Sequence, residues 1–320
     1  MDGGDPACWL DRVCTRCGAL AGGAQPTVCA RCGSTEFTES MDGPDHITVG
    51  DLTFEVWTMG PADGEPIVLL HGFPETAQSW SLVAPALATA GFAVIAPNQR
   101  GYCAGARPSG VDAYTTDQLV GDVIGLLDAL GLTSAHIVGH DWGAAVAWML
   151  AATFPERVRT LTAVSVPHLA AYGWALREDP DQQKRASYID VFRQKGKAEH
   201  LLLENDAERL RAMFGTDLPP NLVDEHVQAL SEPAAMTAAL NWYRAMDADL
   251  GNLGSVRVPT TFVWSSGDMA IGRAGADRCG EFVEAPYRFV ELDGVSHWIP
   301  EVAPEALADA IIAQASVDLR

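Results

Sequence analysis

Four short strand patterns recur along this chain, at residues 66–70, 92–96, 135–138 and 158–164, the first of them a continuous apolar run, and each is followed by a stretch with helical periodicity. A run that short and continuous suits a strand buried on both faces, which a parallel sheet covered by helices provides. Two more strand patterns, residues 260–264 and 287–292, come later, with a helix between them and a last one from Pro304. Residues 47–49 and 52–57 read as a hairpin pair, and residues 80–90, 116–130 and 143–154 read as helices. Strands alternating with helices predict an α/β domain with a mostly parallel sheet flanked by helices. From about residue 168 to 250 the alternation stops, and the pattern is helical with no buried strand. A helical insertion inside such a sheet is expected to form a cap, so residues 43–320 read as one domain with a cap at about 168–250.

The first 42 residues differ in character and read as a separate segment. They hold Cys14-Thr15-Arg16-Cys17 and Cys29-Ala30-Arg31-Cys32, each pair followed by a glycine that suits a tight knuckle. Four thiolates at that spacing can close a tetrahedral zinc site, and the segment resembles a small zinc ribbon. The zinc is expected to be structural, because Cys14, Cys17, Cys29 and Cys32 leave no coordination position open. The N-terminus shows no basic and apolar signal pattern, so a reducing, cytoplasmic setting is expected. The net charge of −21 disfavours nucleic acid and anionic membrane as partners. No apolar run approaches the roughly 20 residues that span a bilayer.

The chemistry gathers at Gly139-His140-Asp141-Trp142-Gly143, set between a buried strand and a helix. Glycines on either side of the central residue are what a nucleophile elbow of the α/β-hydrolase fold requires. Here the centre is Asp141 in place of serine. A free aspartate ionises at about 3.9, so at neutral pH it needs no base before attacking. It suits displacement at saturated carbon, which leaves an enzyme ester for water to cleave. Cleavage needs a base, and His297 in Val295-Ser296-His297-Trp298 follows the last strand pattern. Asp268, just past the strand at 260–264, is placed to fix the imidazole. Nucleophile, acid, histidine is the chain order of this fold. His71-Gly72-Phe73-Pro74 follows the first buried run, where the fold sets half of its oxyanion hole, so the N–H groups of Phe73 and Trp142 are the expected donors. His71 and His140 read as loop braces.

Four segments, His71-Gly72-Phe73-Pro74-Glu75, Gln99-Arg100-Gly101-Tyr102, the Asp141 elbow and Asn241-Trp242-Tyr243-Arg244, together resemble the soluble epoxide hydrolases from about residue 45 to the C-terminus. The resemblance implies ring opening of an epoxide, an ether, to a vicinal diol, with no organic cofactor and with Tyr243 donating a hydrogen bond to the epoxide oxygen. A developing alkoxide needs such a donor. The family usually offers a second cap tyrosine, and Val191 stands in its place. Tyr188 lies one helical turn earlier and is the candidate substitute. Asn98 stands where the family commonly has Asp.

Haloalkane dehalogenases share the Asp nucleophile and the following Trp, and are the alternative within this fold; they lack the Tyr243 motif. The other alternative is a degenerate hydrolase domain carrying a ribbon that works as an interaction module. Trp174, Tyr188, Phe192, Met213, Phe214, Trp242 and Met246 in the cap point to an apolar or aromatic substrate, and with it a role in secondary metabolism. A homo-oligomer, or a protein partner held by the ribbon, stays open.

Overall fold

The computed structural model describes residues 43–246 and 251–317; Cys14, Cys17, Cys29 and Cys32, expected to bind zinc, lie outside these. The strands are β1 (Asp45–Val49), β2 (Leu52–Met59), β3 (Glu65–Leu70), β4 (Phe92–Pro97), β5 (Ala135–His140), β6 (Val158–Val164), β7 (Thr260–Ser265) and β8 (Tyr287–Leu292). They form one sheet in the order β1-β2-β4-β3-β5-β6-β7-β8. The β1–β2 and β2–β4 pairs are antiparallel and every later pair is parallel. The sheet is therefore mostly parallel, as the apolar runs require.

Side chains alternate across the sheet and divide the core in two. Ile67 and Leu69 of β3 face one layer, packed by Leu87 of α1 (Ala84–Thr89) and by Leu307 and Ile311 of α12 (Pro304–Ala315). Val68 and Leu70 face the other, with α2 (Thr116–Ala129) and α3 (Trp142–Thr153). All six residues of β5 are buried, which its position at the centre of the sheet demands. The helix expected over residues 80–90 is shorter than its pattern suggested. A 3-10 turn, Ala77–Trp80, comes first, and α1 begins only at Ala84. Pro85 explains this, because its missing N–H and ring fit only the first turn of a helix.

The insertion after β6 is wholly helical among the described residues. It contains α4 (Leu169–Glu178), α5 (Pro180–Arg185), α6 (Tyr188–Phe192), α7 (Lys197–Met213), α8 (Pro220–Leu230) and α9 (Pro233–Ala245). Helices α6, α7 and α8 all pack on α9, which makes α9 the spine of the cap. Inside α7 the backbone leaves helical geometry at residues 204–207, with Asn205, Asp206 and Ala207 at φ of 52°, 57° and 56°. After β7 come α10 (Arg273–Arg278) and, beyond β8, the short α11 (Ile299–Val302).

Leu69 is fully buried on the central strand beside β5, and truncation there leaves a void that helices on the far layer cannot close. Leu69→Ala is expected to lower the unfolding free energy by about 2–5 kcal/mol in urea titrations.

Candidate active site

Strand β5 ends at His140 and α3 starts at Trp142, so a single residue makes the turn. Asp141 does so at φ 51°, ψ −117°, a conformation that L residues rarely adopt. Three glycines make room for it. A Cβ on Gly143 would lie 2.1 Å from the carbonyl oxygen of Leu70, one on Gly139 would lie 2.2 Å from that of Gly143, and one on Gly72 would meet the Asp141 Cβ at 2.4 Å. The tight turn lifts the carboxylate off the sheet to where the loops after β3, β7 and β8 converge.

Asp141 Oδ1 accepts the Phe73 N–H at 2.9 Å. The Trp142 N–H follows at the first position of α3, where helix N–H groups lack intrahelical partners. His297 sets its Nε2 3.5 Å from Asp141 Oδ2, and its Nδ1 lies 2.7 Å from Asp268 Oδ2. The second oxygen of Asp268 accepts the N–H groups of Ala270 at 2.7 Å and Ile271 at 2.9 Å. Burial alone would raise the Asp268 carboxyl, but the His297 charge and these hydrogen bonds hold it below its ordinary value. For His297, burial acts to lower the imidazole, yet Asp268 and Asp141 together raise it well above 6.5. The resting histidine is thus a cation clasped between two carboxylates.

The cap reaches into the same site. The Trp242 indole N–H donates to the Arg100 carbonyl at 2.9 Å, and a Cβ on Gly101 would sit 3.1 Å from the Ala238 Cβ, so the loop after β4 is the seat of α9. Arg100 is itself pinned by Asp122 through two bonds of 2.6 and 2.5 Å. Arg193 donates to the Tyr243 carbonyl at 2.9 Å, and Arg244 pairs with Glu199 at the same distance. These contacts fix Tyr243 against the rings of Trp142 and Phe73, at centroid distances of 5.2 and 5.4 Å. Tyr188 lies 6.2 Å from Tyr243 by ring centroid. Burial holds both phenols well above 10, so each keeps its proton.

Two cavity lobes meet here, a small one of about 50 Å³ and a larger one of about 430 Å³, and both are bounded by Asp141, Tyr188 and Tyr243. The smaller adds Leu169, Tyr172 and Ile271; the larger adds Met213, Met269 and His297. Of the cap side chains singled out above, Tyr188, Phe192, Met213 and Met246 line the lobes. Trp242 and Phe214 are instead packed in the core, and the Trp174 ring lies under Arg278 at 4.2 Å. Val191 is absent from both linings while Tyr188 is in both. Asn98 uses both ends of its amide, accepting from Ala77 N–H at 3.0 Å and donating to Glu55 at 3.0 Å. An Asp there would lose the second bond and face Glu55 with like charge.

His71 and His140 are braces in the structure. His71 accepts the Gln99 N–H at 3.0 Å, and its other nitrogen bonds the Gly72 carbonyl at 2.9 Å. The cap also braces the acid loop, which the sequence reading missed. Gln182 on α5 bonds Ala270 O at 2.9 Å and Gly272 N at 2.8 Å, and Arg185 donates to the Asp268 carbonyl.

Residues 65–304 match the family model described as alpha/beta hydrolase fold. The chain is 36% identical over 281 residues to the AB hydrolase superfamily protein YfhM of Bacillus subtilis, covering 85% of this chain and 98% of that one. This chain belongs to the α/β-hydrolase family. The hydrolase is also 34% identical over 294 residues to Epoxide hydrolase A of Mycobacterium tuberculosis, covering 78% of this chain and 90% of the relative. Among solved structures, Epoxide Hydrolase A from Mycobacterium thermoresistibile superposes on the hydrolase with a TM-score of 0.74 at 28% identity, covering 84% of this chain and 97% of that one. No helix among the hydrolase's described residues is long and apolar enough to cross a membrane. No group of three or more metal-binding side chains occurs among them, and Cys103 and Cys279 are buried free thiols.

Because the folded His297 titrates above its unfolded value of 6.5, its contribution to stability is full below that pH and is lost as pH rises through the folded value. The stability gap between wild type and His297→Gln, measured in urea, should therefore shrink as pH is raised. A gap that widened would mean a neutral resting imidazole.

Proposed function

We infer that the chain is an epoxide hydrolase that converts an apolar epoxide to a vicinal diol through an ester on Asp141. The observation that carries the roles of the residues is one carboxylate whose two oxygens face different partners. Oδ1 is held by the Phe73 N–H, and Oδ2 is left free of the backbone beside His297. Oδ2 is the attacking oxygen. As its bond to an epoxide carbon forms, the ring C–O bond breaks and its electron pair passes to the oxygen. Tyr243, with Tyr188 beside it, meets that developing alkoxide with a hydrogen bond and then a proton.

Ester formation also changes the histidine. The charge of Asp141 is one of the influences that keep His297 protonated, and an ester carries no charge. His297 then releases its proton, which restores the tyrosine, and becomes a base. It takes a proton from water, and the hydroxide attacks the ester carbonyl. The Phe73 and Trp142 N–H groups hold the oxyanion until it collapses to diol and the Asp141 carboxylate. Asp268 keeps the imidazole oriented throughout. The base is thus switched on by the first step, which prevents it from being spent before an ester exists.

The apolar lining of both lobes favours an aromatic or otherwise bulky epoxide, and with it a biosynthetic role, over a small polar one. Incubating His297→Gln with aromatic epoxides should add the mass of the whole epoxide, as read by intact mass spectrometry. The adduct should be missing when Asp141→Asn is added, and an adduct that survived would remove Asp141 from its role. Tyr243→Phe should slow ester formation on the order of a hundredfold. Turnover that favoured small epoxides over bulky ones would count against the biosynthetic role.

We further propose that Cys14, Cys17, Cys29 and Cys32 hold a structural zinc ion, a reading supported by their spacing alone. Metal analysis of the full chain should then find about one zinc per molecule. Cys14→Ser with Cys17→Ser should abolish it while leaving epoxide turnover in place. A ribbon that serves as an interaction surface would lose its partner in the same variant.

A further inference from the structure

Five ionisable side chains close to the catalytic centre are buried and take no part in the reaction: His71, Glu75, His140, His226 and Glu301. None of them lines either cavity lobe. Glu75 follows the Phe73 turn, and Glu301 sits on α11, just after His297. Glu75 Oε2 accepts the Gly72 N–H at 3.2 Å and meets His140 Nδ1 at 2.8 Å. His140 Nε2 in turn donates to the carbonyl of His297 at 2.9 Å. One carboxylate oxygen therefore ties together the oxyanion turn, the strand end that carries Asp141, and the loop that carries the base. Both nitrogens of His140 face acceptors.

The rest of the group poses a problem. Glu75 Oε1 and both oxygens of Glu301 are buried, and no other described residue offers them an N–H or hydroxyl donor within hydrogen-bond distance. The two carboxyl groups instead lie within hydrogen-bonding reach of each other. His226 does not relieve them: its Nδ1 accepts the Thr76 N–H at 3.2 Å, which leaves the ring hydrogen on Nε2, and Nε2 stays 3.7 Å from Glu301 Oε1, beyond hydrogen-bond distance. Two adjacent buried carboxylates would repel with little screening and could not satisfy one another. A hydrogen between them resolves both difficulties.

We propose that Glu75 and Glu301 share one proton, with Glu301 as the neutral acid donating to the Glu75 carboxylate. The pair is a positioning element that holds the oxyanion turn and the His297 loop in register with Asp141. Burial and the neighbouring Glu75 push Glu301 well above the ordinary carboxyl range. Burial acts on Glu75 in the same sense, but His140 and the bond from Glu301 outweigh it and hold Glu75 low. Burial lowers His71 and His226 to about 4, so neither supplies a charge at neutral pH. The negative end is thus Glu75, which accepts the Gly72 N–H and meets His140 Nδ1, and Glu301 fits only in its neutral form.

The proton is tested apart from turnover, in the full-length protein. The infrared difference spectrum between wild type and Glu301→Gln at neutral pH should show a protonated-carboxyl C=O band that the variant lacks. The kinetic arm rests on the epoxide reading of the site. Glu301→Met fills the same space without a donor, and should slow ester hydrolysis by on the order of tenfold to a hundredfold. It should slow ester formation less, so that the ester accumulates in the mass spectrum. Glu301→Gln, whose amide can donate to Glu75, should recover most of the lost hydrolysis rate. Absence of the infrared difference, or equal rates in the Met and Gln variants, would overturn the proposal. Failure of wild type to form an ester with any epoxide would fall on the functional reading instead, and the infrared band would still decide the proton.

Discussion

Everything in this site hangs on a backbone conformation at Asp141 that an L residue adopts only under compulsion. A residue held in such a region costs on the order of 1–3 kcal/mol, and the surrounding structure must over-determine it. Here β5 is buried along its full length on one side of the turn and α3 is buried over most of its length on the other. Neither can shift without exposing apolar surface, so the strain stays at the one residue between them. The gaps left by Gly72, Gly139 and Gly143 then decide how closely strand, helix and oxyanion turn approach, and hence that Asp141 Oδ1 meets the Phe73 N–H.

Around that fixed carboxylate the chain assembles groups of different origin. The parallel register of β6, β7 and β8 brings the ends of β7 and β8 to the same edge as the end of β5, so Asp268 and His297 arrive from late in the chain. The cap brings the tyrosines and, through Gln182 and Arg185 on α5, also grips the loop of Asp268. A carboxylate on each side of His297 raises the affinity of the imidazole for its proton, and ester formation removes one of those two charges. The same arrangement thus protects the base in one step and releases it in the next. Glu75, His140 and Glu301 extend this logic inward, since a satisfied buried network holds its members to one geometry.

Much of this was legible because local chemistry is written in local pattern. Glycines flanking Asp141 between an apolar run and a helix speak of a tight turn wherever they occur, and each of the late strand patterns is followed within a few residues by Asp268 or His297. The limits were also local in origin. Pro85 shortened a helix that apolar periodicity had stretched. Trp174, Phe214 and Trp242 have the same apolar character as the cavity residues, and periodicity cannot say which side of a cap helix turns to substrate and which to core. Tyr172 went unnoticed for the same reason. The break in α7 falls at Asn205 and Asp206, residues that tolerate left-handed backbone, but it also takes in Ala207, which gives no such signal.

By itself the sequence determined the fold class, the place of the elbow and the identity of its central side chain, because buried strands, helix periodicity and glycine are properties of neighbouring residues. Beyond the acid, the histidine, the Phe73 turn and Tyr243, only the tertiary structure decided which distant groups share that carboxylate's surroundings. It set Tyr188 rather than Val191 on the cavity wall, since that depends on how α6 is rotated against α9. It placed Glu301 against Glu75, residues far apart in the chain with no motif linking them, because the loops after β3 and β8 end on one edge of the sheet. Where a charge resides, and which proton it holds, follows from burial and from neighbours, and neighbours across a sheet are a matter of packing.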